Sequence, residues 1–597
     1  MKFKFLILFI LSVFLLVSCA DVEEPELPIV PEQKEEVGNL VTFGAFSDIH
    51  SSAEYFNRVV DNIFTLTNDG EDLDAMVLLG DILYTHENVI PSYENYSFIV
   101  ENEKYQKLYN EGKIVYAMGN HEFPVNSSDP EQQILSKQSF KEVLGLEMET
   151  DNVYGGYHFI TAGPDAYAGY LSPEQEAYVI KHVNDALAES DDKPVFLFLH
   201  HPIDNTTYGS YGTDHYTEDF ENFIKNEPRL VVFYGHVHTP ASDPRAINQN
   251  PGGATFVYTS VVWTSVGQSM SYATQRHEQY ASQAHIVTVD DKTNVVTIKP
   301  FYTDAKEPEY LEKVEWTLDI PAMIEESKKD NVSLDVYKYT DVRKESSVAP
   351  FFAEDAEITV DRVGESAVTF SFPNAVCGDD GADSDVAFYK IEIFDAETDE
   401  LIRCDKIISD FFVKNKREAV SHSFYNLPET SKWILKVTPV TVWHVEGEGA
   451  LTLEIIPPEP LFAPVSYDEK NTFETPAKDG KIYGFYSEGE EYISATKFQS
   501  LTLIYKFDVK SAGMYRVIAN VATNGAVDAT LTVTNGTDVD LSSDIYLGTS
   551  GMNDYQEIVL AEIEVQEAGE YTVKIKKANG DADIRFKSVK FARCVEE

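Results

Sequence analysis

Five short apolar runs in this chain each end in residues able to hold a cation. They read VTFGAFSDIH, AMVLLGD, KIVYAMGNHE, VFLFLHHP and LVVFYGHVH, and they deliver Asp48 and His50, Asp81, Asn120 and His121, His200 and His201, and His236 and His238. All are oxygen or imidazole donors with no thiolate among them, which suits zinc, manganese, iron or cobalt and does not choose between them. An apolar run that stops at Gly-Asp or Gly-Asn predicts a buried parallel strand ending in a loop. Ligands of open α/β sheets gather at the carboxyl ends of strands, so five such endings predict one crevice lined by these side chains.

The order D-x-H, G-D, G-N-H, a strand-end His and G-H-x-H resembles the pattern of the calcineurin-like metallophosphoesterase family over about residues 41–305. The resemblance implies an α/β domain of four layers, α/β/β/α, with two mixed sheets flanked by helices. It implies hydrolysis of phosphomonoesters or phosphodiesters by a hydroxide bridging two divalent metal ions. Asp48, His50 and His238 would then join Asp81 around one ion, while Asn120, His200 and His236 complete the other. Elementary chemistry agrees, because two ions roughly 3.5–4 Å apart need a bridging carboxylate, and Asp81 fits. Val237, between His236 and His238 on extended chain or a turn, is free to point away from the site. By the same resemblance His121 lies beyond the metal shell and protonates the leaving oxygen, as an imidazole with an ordinary pKa of about 6.5 can at neutral pH. The alternative is that His121 only hydrogen-bonds Asp48 or a neighbour. In the H-H-P segments of this family the first His ligates, which selects His200 and leaves His201 turned away or lining the cleft. Glu122 reads as a carboxylate supporting the ligands from behind.

Two departures narrow the branch. Asp81 is followed by Ile82, Leu83 and Tyr84, whereas the protein serine/threonine phosphatase branch continues with Asp-Arg-Gly. Tyr84 resembles the ligating tyrosine of purple acid phosphatases, but those enzymes lack the first-motif histidine, which is kept here as His50. Tyr84 is therefore expected to pack and not to ligate.

The chain begins with Lys2 and Lys4 before an apolar run from Phe5 to Val17, too short to span a bilayer but suited to a secretory signal. Leu16-Val17-Ser18-Cys19 resembles a bacterial lipobox, which makes residues 1–19 a lipoprotein signal, Cys19 the lipidated residue, and 20–40 an acidic tether. The protein is expected outside the cytoplasm, lipid-anchored at the outer membrane or cell surface, touching the membrane through that lipid only. Lys plus Arg number 47 against 100 Asp plus Glu, a net charge of −53. That balance argues against a nucleic-acid polymer as partner, because such binding needs clustered basic residues. Beyond Cys19 only Cys377, Cys404 and Cys594 remain, so no disulfide framework holds the fold; Cys377 with Cys404 is a candidate pair.

A chain of 597 residues exceeds a single core. Residues 41–305 read as the catalytic unit and 306–348 as connecting strands with a short helix. Residues 351–457 alternate with period two and resemble a fibronectin type III domain. A proline-rich linker from Pro457 to Pro464 follows, and 466–597 look like a jelly-roll carbohydrate-binding module. In that last region FDVKSAGMYRVIANV and IEVQEAGEYTVKIKK echo each other, which predicts two similar hairpin-like corners. The substrate loops carry no legible motif. A phosphoester substrate on glycans or at the cell surface, a nucleotide, or a non-catalytic glycan-binding role for the whole lipoprotein all remain readings of this sequence.

Overall fold

The computed structural model describes residues 39–595 apart from 213, 263–281, 305–306, 365, 379–384, 429–430, 459–461, 463–464, 526, 537, 550 and 578–581. The expected lipobox with Cys19 and nearly all of the tether lie outside the described residues.

Each of the five motif runs forms a strand: β1 (Leu40–Phe46), β2 (Ala75–Leu78), β3 (Ile114–Tyr116), β4 (Val195–Leu199) and β5 (Leu230–Tyr234). Strands β1, β2 and β3 pair in parallel within a seven-stranded sheet, and β4 and β5 pair in parallel within a six-stranded one. The first sheet is mixed, because Gln283–Asp290 runs antiparallel to β1. Successive side chains of a strand face opposite ways, and β1 uses both faces. Val41, Phe43 and Ala45 share a core with Phe159, Phe196, Phe198 and Phe233 of the second sheet. Phe46 instead packs with Phe56, Val59, Val60 and Ile63. These four lie on one face of helix α1 (Ala53–Leu66), which Ser52 caps by accepting the Tyr55 N–H. Helices outside and two sheets inside make the four layers.

The first sheet reaches further along the chain than residue 305. Strands Glu309–Tyr310 and Trp316–Asp319 pair with Val295–Tyr302, and helix Ile320–Ser327 buries Ile320 and Met323 in the same core, so the segment expected only to connect domains completes this sheet.

The middle region is an antiparallel sandwich of three strands (Thr359–Val363, Val368–Pro373, Ala419–Phe424) on four (Leu401–Ile408, Val386–Asp395, Trp433–Thr441, Leu451–Ile455). Tyr389, Ile391 and Ile393 point into its own core around Trp433. Its alternation suggests that the opposite face is wet, and there the structure differs. Phe388, Phe411, Phe412, Val440 and Val442 belong to the core of the catalytic sheets. The join is also polar: Gln283 Nε2 donates to the Phe412 carbonyl at 2.8 Å. Arg245, paired with Asp243 at 2.8 Å, lies over the rings of Tyr208 and Trp443. The sandwich thus keeps a core of its own and buries its other face in the core of the neighbouring sheets, so it is not a unit that stands apart from them.

The last region is a second sandwich, of six strands on five, with a core of its own. The echoed segments are not hairpins. Leu501–Val509 lies in the five-stranded sheet and Gly513–Thr523 in the six-stranded one, and Gln556–Val565 and Gly569–Lys577 repeat that crossing. Each Ala-Gly turn is an arch between stacked sheets, which lie about 10 Å apart and not one strand spacing, and the two arches pair with each other through both sheets. Cys377, Cys404 and Cys594 are all free thiols, so the candidate Cys377–Cys404 disulfide does not form.

Removing the middle sandwich would bare several large apolar side chains on the catalytic core. At about 1.5–3 kcal/mol for each side chain exposed, that is comparable with the roughly 5–15 kcal/mol total stability of a domain. A chain cut at residue 349 is expected to aggregate or to melt well below the full protein, whereas one cut at residue 457 should unfold cooperatively near the parent temperature. Calorimetry with size-exclusion chromatography checks both, and a soluble, cooperative 39–349 fragment would show the shared core to be dispensable.

Candidate metal centre

The loops leaving β1 and β2 are stitched together before any ligand is considered. Asp48 N–H donates to the Gly80 carbonyl at 3.1 Å and His50 N–H to the Asp81 carbonyl at 2.9 Å. Turning donors inward at the strand ends takes unusual backbone: Asp48, His50, Asp81, His236 and His238 have φ of 57°, 50°, 51°, 74° and 56°. Left-handed conformations cost non-glycine residues about 1–3 kcal/mol each and persist where the surroundings enforce them. Their concentration here marks a site.

The structure brings all seven expected ligands together. Asp81 Oδ2 lies 3.2 Å from His200 Nε2 and 3.9 Å from His50 Nε2, and Asp48 Oδ1 lies 3.4 Å from His238 Nε2 and 3.8 Å from His50 Nε2. Asn120 Oδ1 and His236 Nδ1 are 3.0 Å apart. Three groups have ligand atoms within 4.8 Å of one another: Asp48, His50 and His238; Asp48, Asp81 and His200; and His200, His201 and His236. The third bears on His201, expected either to turn away or to line the cleft: its ring does not turn away. Its centroid is 4.3 Å from that of His236, because the chain bends after Leu199 and strand alternation no longer separates neighbouring side chains. Beyond it His215, which no sequence signal marked, lies with its ring 4.5 Å from His201.

The donors fit cations. His200 Nδ1 lies 2.6 Å from the Leu79 carbonyl, which only accepts, so Nδ1 carries the proton and the Nε2 lone pair faces Asp81. His200 Nε2 and Asp48 Oδ1 are buried and make no hydrogen bond among the described residues. Buried lone pairs facing carboxylate oxygens require positive charge between them. Without an ion, protons supply it. Burial opposes charging His200, but the Asp81 carboxylate outweighs it and raises the imidazole to about 9. Burial likewise opposes ionisation of Asp48 and Asp81, and the surrounding imidazoles still hold both below the usual carboxylate range. Burial and the His200 charge push His236 down to about 3, and burial with His236 takes His201 well below the usual histidine value.

Glu122 shapes the centre from behind. Its fully buried carboxylate accepts the N–H groups of Asp81, Ile82, Leu83 and Gly119 at 3.0, 2.8, 3.0 and 2.7 Å and the Tyr116 hydroxyl at 3.1 Å. Burial and the nearby Asp81 charge raise it to about 7. The motif glycines have a matching reason: a Cβ on Gly80 would sit 2.6 Å from His200 Nδ1 and 2.7 Å from Gly119 Cα.

His121 sits on the short 3-10 turn Asn120–Glu122, with Nε2 3.9 Å from Asp81 Oδ2. Burial lowers its pKa despite the charge of Asp81. Tyr84 is exposed and stacks on the His121 ring at 4.8 Å.

Two sheets whose strand ends present oxygen and imidazole donors make a candidate metal centre. The model of the calcineurin-like phosphoesterase family matches residues 41–240, and that part of the chain is a domain of this family of metal-dependent phosphoesterases. No curated protein matches the chain. Among solved structures, the C-terminal CBM6 of the laminarinase LamC from Zobellia galactanivorans is 14% identical over 21% of this chain and 100% of its own, with a TM-score of 0.18. A family 35 carbohydrate binding module from Clostridium thermocellum is 14% identical over 20% of this chain and 96% of its own, also with a TM-score of 0.18. A GH26-CBM35 mannanase of Podospora anserina is 13% identical over 21% of this chain, which spans 28% of that protein, with a TM-score of 0.17.

Asp81→Asn is expected to abolish turnover and lower the bound metal, because the amide removes the negative charge from the group whose Oδ2 faces both His50 and His200. Elemental analysis beside a phosphoesterase assay checks this, and a variant with full metal and full rate would remove Asp81 from the bridge.

Proposed function

We propose that this protein is an extracytoplasmic phosphoesterase that holds two divalent ions and hydrolyses phosphomonoesters or phosphodiesters. One observation carries the reading: the Asp81 carboxylate lies between two sets of donors, with Oδ2 within 3.9 Å of both His50 and His200. Asp48, His50 and His238 would hold one ion, and Asn120, His200 and His236 the other, with Asp81 shared. Two such ions, when bound, would neutralise phosphoryl charge and lower the pKa of an attacking water. The chain's own groups do the rest. Asp48 and Asp81 stay ionised as ligands, the Leu79 carbonyl fixes the His200 tautomer, and His121, on the rim beside Asp81, gives a proton from its ring to the departing oxygen. Its lowered pKa makes it charged less often but readier to release that proton.

The placement outside the cytoplasm rests on the segment Leu16-Val17-Ser18-Cys19 and the apolar run before it. Among the described residues no helix is long and apolar enough to cross a membrane. Lipid at Cys19 would then hold the enzyme to the membrane, with the substrate reached beyond a tether.

Purified protein assayed with manganese or zinc on a chromogenic monoester and a chromogenic diester tests the activity; inactivity on both, with metal bound, would refute it. His121→Ala should keep its metal yet lose about 10² to 10⁴ in turnover, least on substrates whose leaving groups need no proton. Loss of metal instead would make His121 a ligand. Cys19→Ser should move the protein from the membrane to the soluble fraction, and continued pelleting after a salt wash would refute the anchor.

A further inference from the structure

We infer that Tyr84 is a positioning residue for His121, holding the imidazole by ring stacking where no hydrogen bond does; the inference rests on the acid role given to His121 above. A proton donor works only when its ring is held within about 0.5 Å and 10–20° of the productive geometry. Histidines in such sites are usually fixed by a ring N–H on a carbonyl or carboxylate, as His200 is fixed on Leu79. His121 has no such tie among the described residues. Its Nδ1 is buried with no partner, and its Nε2 is 3.9 Å from the nearest Asp81 oxygen, beyond hydrogen-bonding distance.

What touches the ring is aromatic. Tyr84 lies nearly parallel to it, with centroids 4.8 Å apart and planes at 21°; Tyr167 meets it edge-on at 5.6 Å, and His50 is tilted 60° at 4.9 Å. Among the described residues only Tyr84 covers a face. Tyr84 is itself tied in place, although the residue is 42% exposed. Its N–H donates to Ser51 Oγ at 2.7 Å, the two residues before it hang on Glu122, and the His86 ring meets its ring edge-on at 5.6 Å. The loop that delivers Asp81 to the metals thus continues for three residues and delivers a flat surface to the acid. The contact is made by the ring and not by the hydroxyl, so phenylalanine should replace tyrosine here.

The test measures kcat/KM of the full-length, metal-loaded protein on phosphoesters whose leaving groups run from p-nitrophenol to a simple alkyl alcohol. The variants are Tyr84→Ala, Tyr84→Phe, His121→Ala and the Tyr84→Ala/His121→Ala pair, each with its metal content measured. Tyr84→Ala should lose between about 10- and 100-fold on the alkyl ester, the range expected when a reacting group is misplaced by an ångström or less. It should lose far less on the nitrophenyl ester. Tyr84→Phe should restore the rate, and the pair should be no slower than His121→Ala alone. Equal loss on all leaving groups, loss of metal in Tyr84→Ala, or additive losses in the pair would overturn the inference while leaving the acid role intact. If His121→Ala is itself indifferent to the leaving group, the acid role fails and this inference falls with it.

Discussion

The buried carboxylate of Glu122 is the constraint on which the site depends. It gathers four backbone N–H groups from two loops that leave neighbouring strands, β2 and β3, and the hydroxyl of Tyr116 at the end of β3. Those loops carry Asp81, Asn120, His121 and Tyr84. Burying a carboxylate is expensive unless its oxygens are fully hydrogen-bonded, and here the donors are main-chain groups that strand ends leave without partners. One side chain therefore satisfies the backbone of both loops and fixes their spacing. Cations at Asp81, whose N–H Glu122 accepts at 3.0 Å, would favour the ionised form of Glu122 further.

In front of that clamp the ligand residues are arranged against their own preferences. Five of the seven expected ligands adopt left-handed backbone, and their imidazoles and carboxylates crowd at 3.2–3.9 Å. The strain is tolerable because the two sheets behind are rigid: Phe43 of β1 meets four phenylalanine rings of the opposite sheet at 5.0–5.9 Å. A dry aromatic layer between sheets fixes the strand ends, and the strand ends fix the donors.

The middle sandwich is tied into the same architecture. Ser47 Oγ is 2.6 Å from Asp48 Oδ2 and 2.7 Å from the Ser260 carbonyl, Ser260 Oγ is 3.4 Å from Gln283 Oε1, and Gln283 Nε2 donates to Phe412. A polar thread thus runs from Asp48, an expected metal ligand, to the sandwich alongside the shared apolar core. The last sandwich is attached differently, through exposed pairs such as Arg362 with Asp528 and Asn426 with Asp554. Exposed pairs of this kind contribute about 0–1 kcal/mol, and beside them the buried Tyr425 ring packs against Gly548.

By itself the sequence determined the five strands, their order and the donors at their ends, because each apolar run is short, uninterrupted and stopped by residues whose chemistry is their own. It determined the two sandwiches as alternating β for the same local reason. What only tertiary structure decided are matters of which face meets what. Alternation in Val386–Asp395 does not say that Phe388 is covered by another domain. An Ala-Gly turn between strands does not distinguish a hairpin from an arch between sheets, since both need the same glycine and only the pairing partners differ. His201 joins His200 and His236 through a bend that ends the period-two rule, and Tyr84 meets His121 across 37 residues of chain. These contacts have no spacing to announce them, because they are made by elements whose separation in space is set by the packing of two sheets and not by distance along the chain.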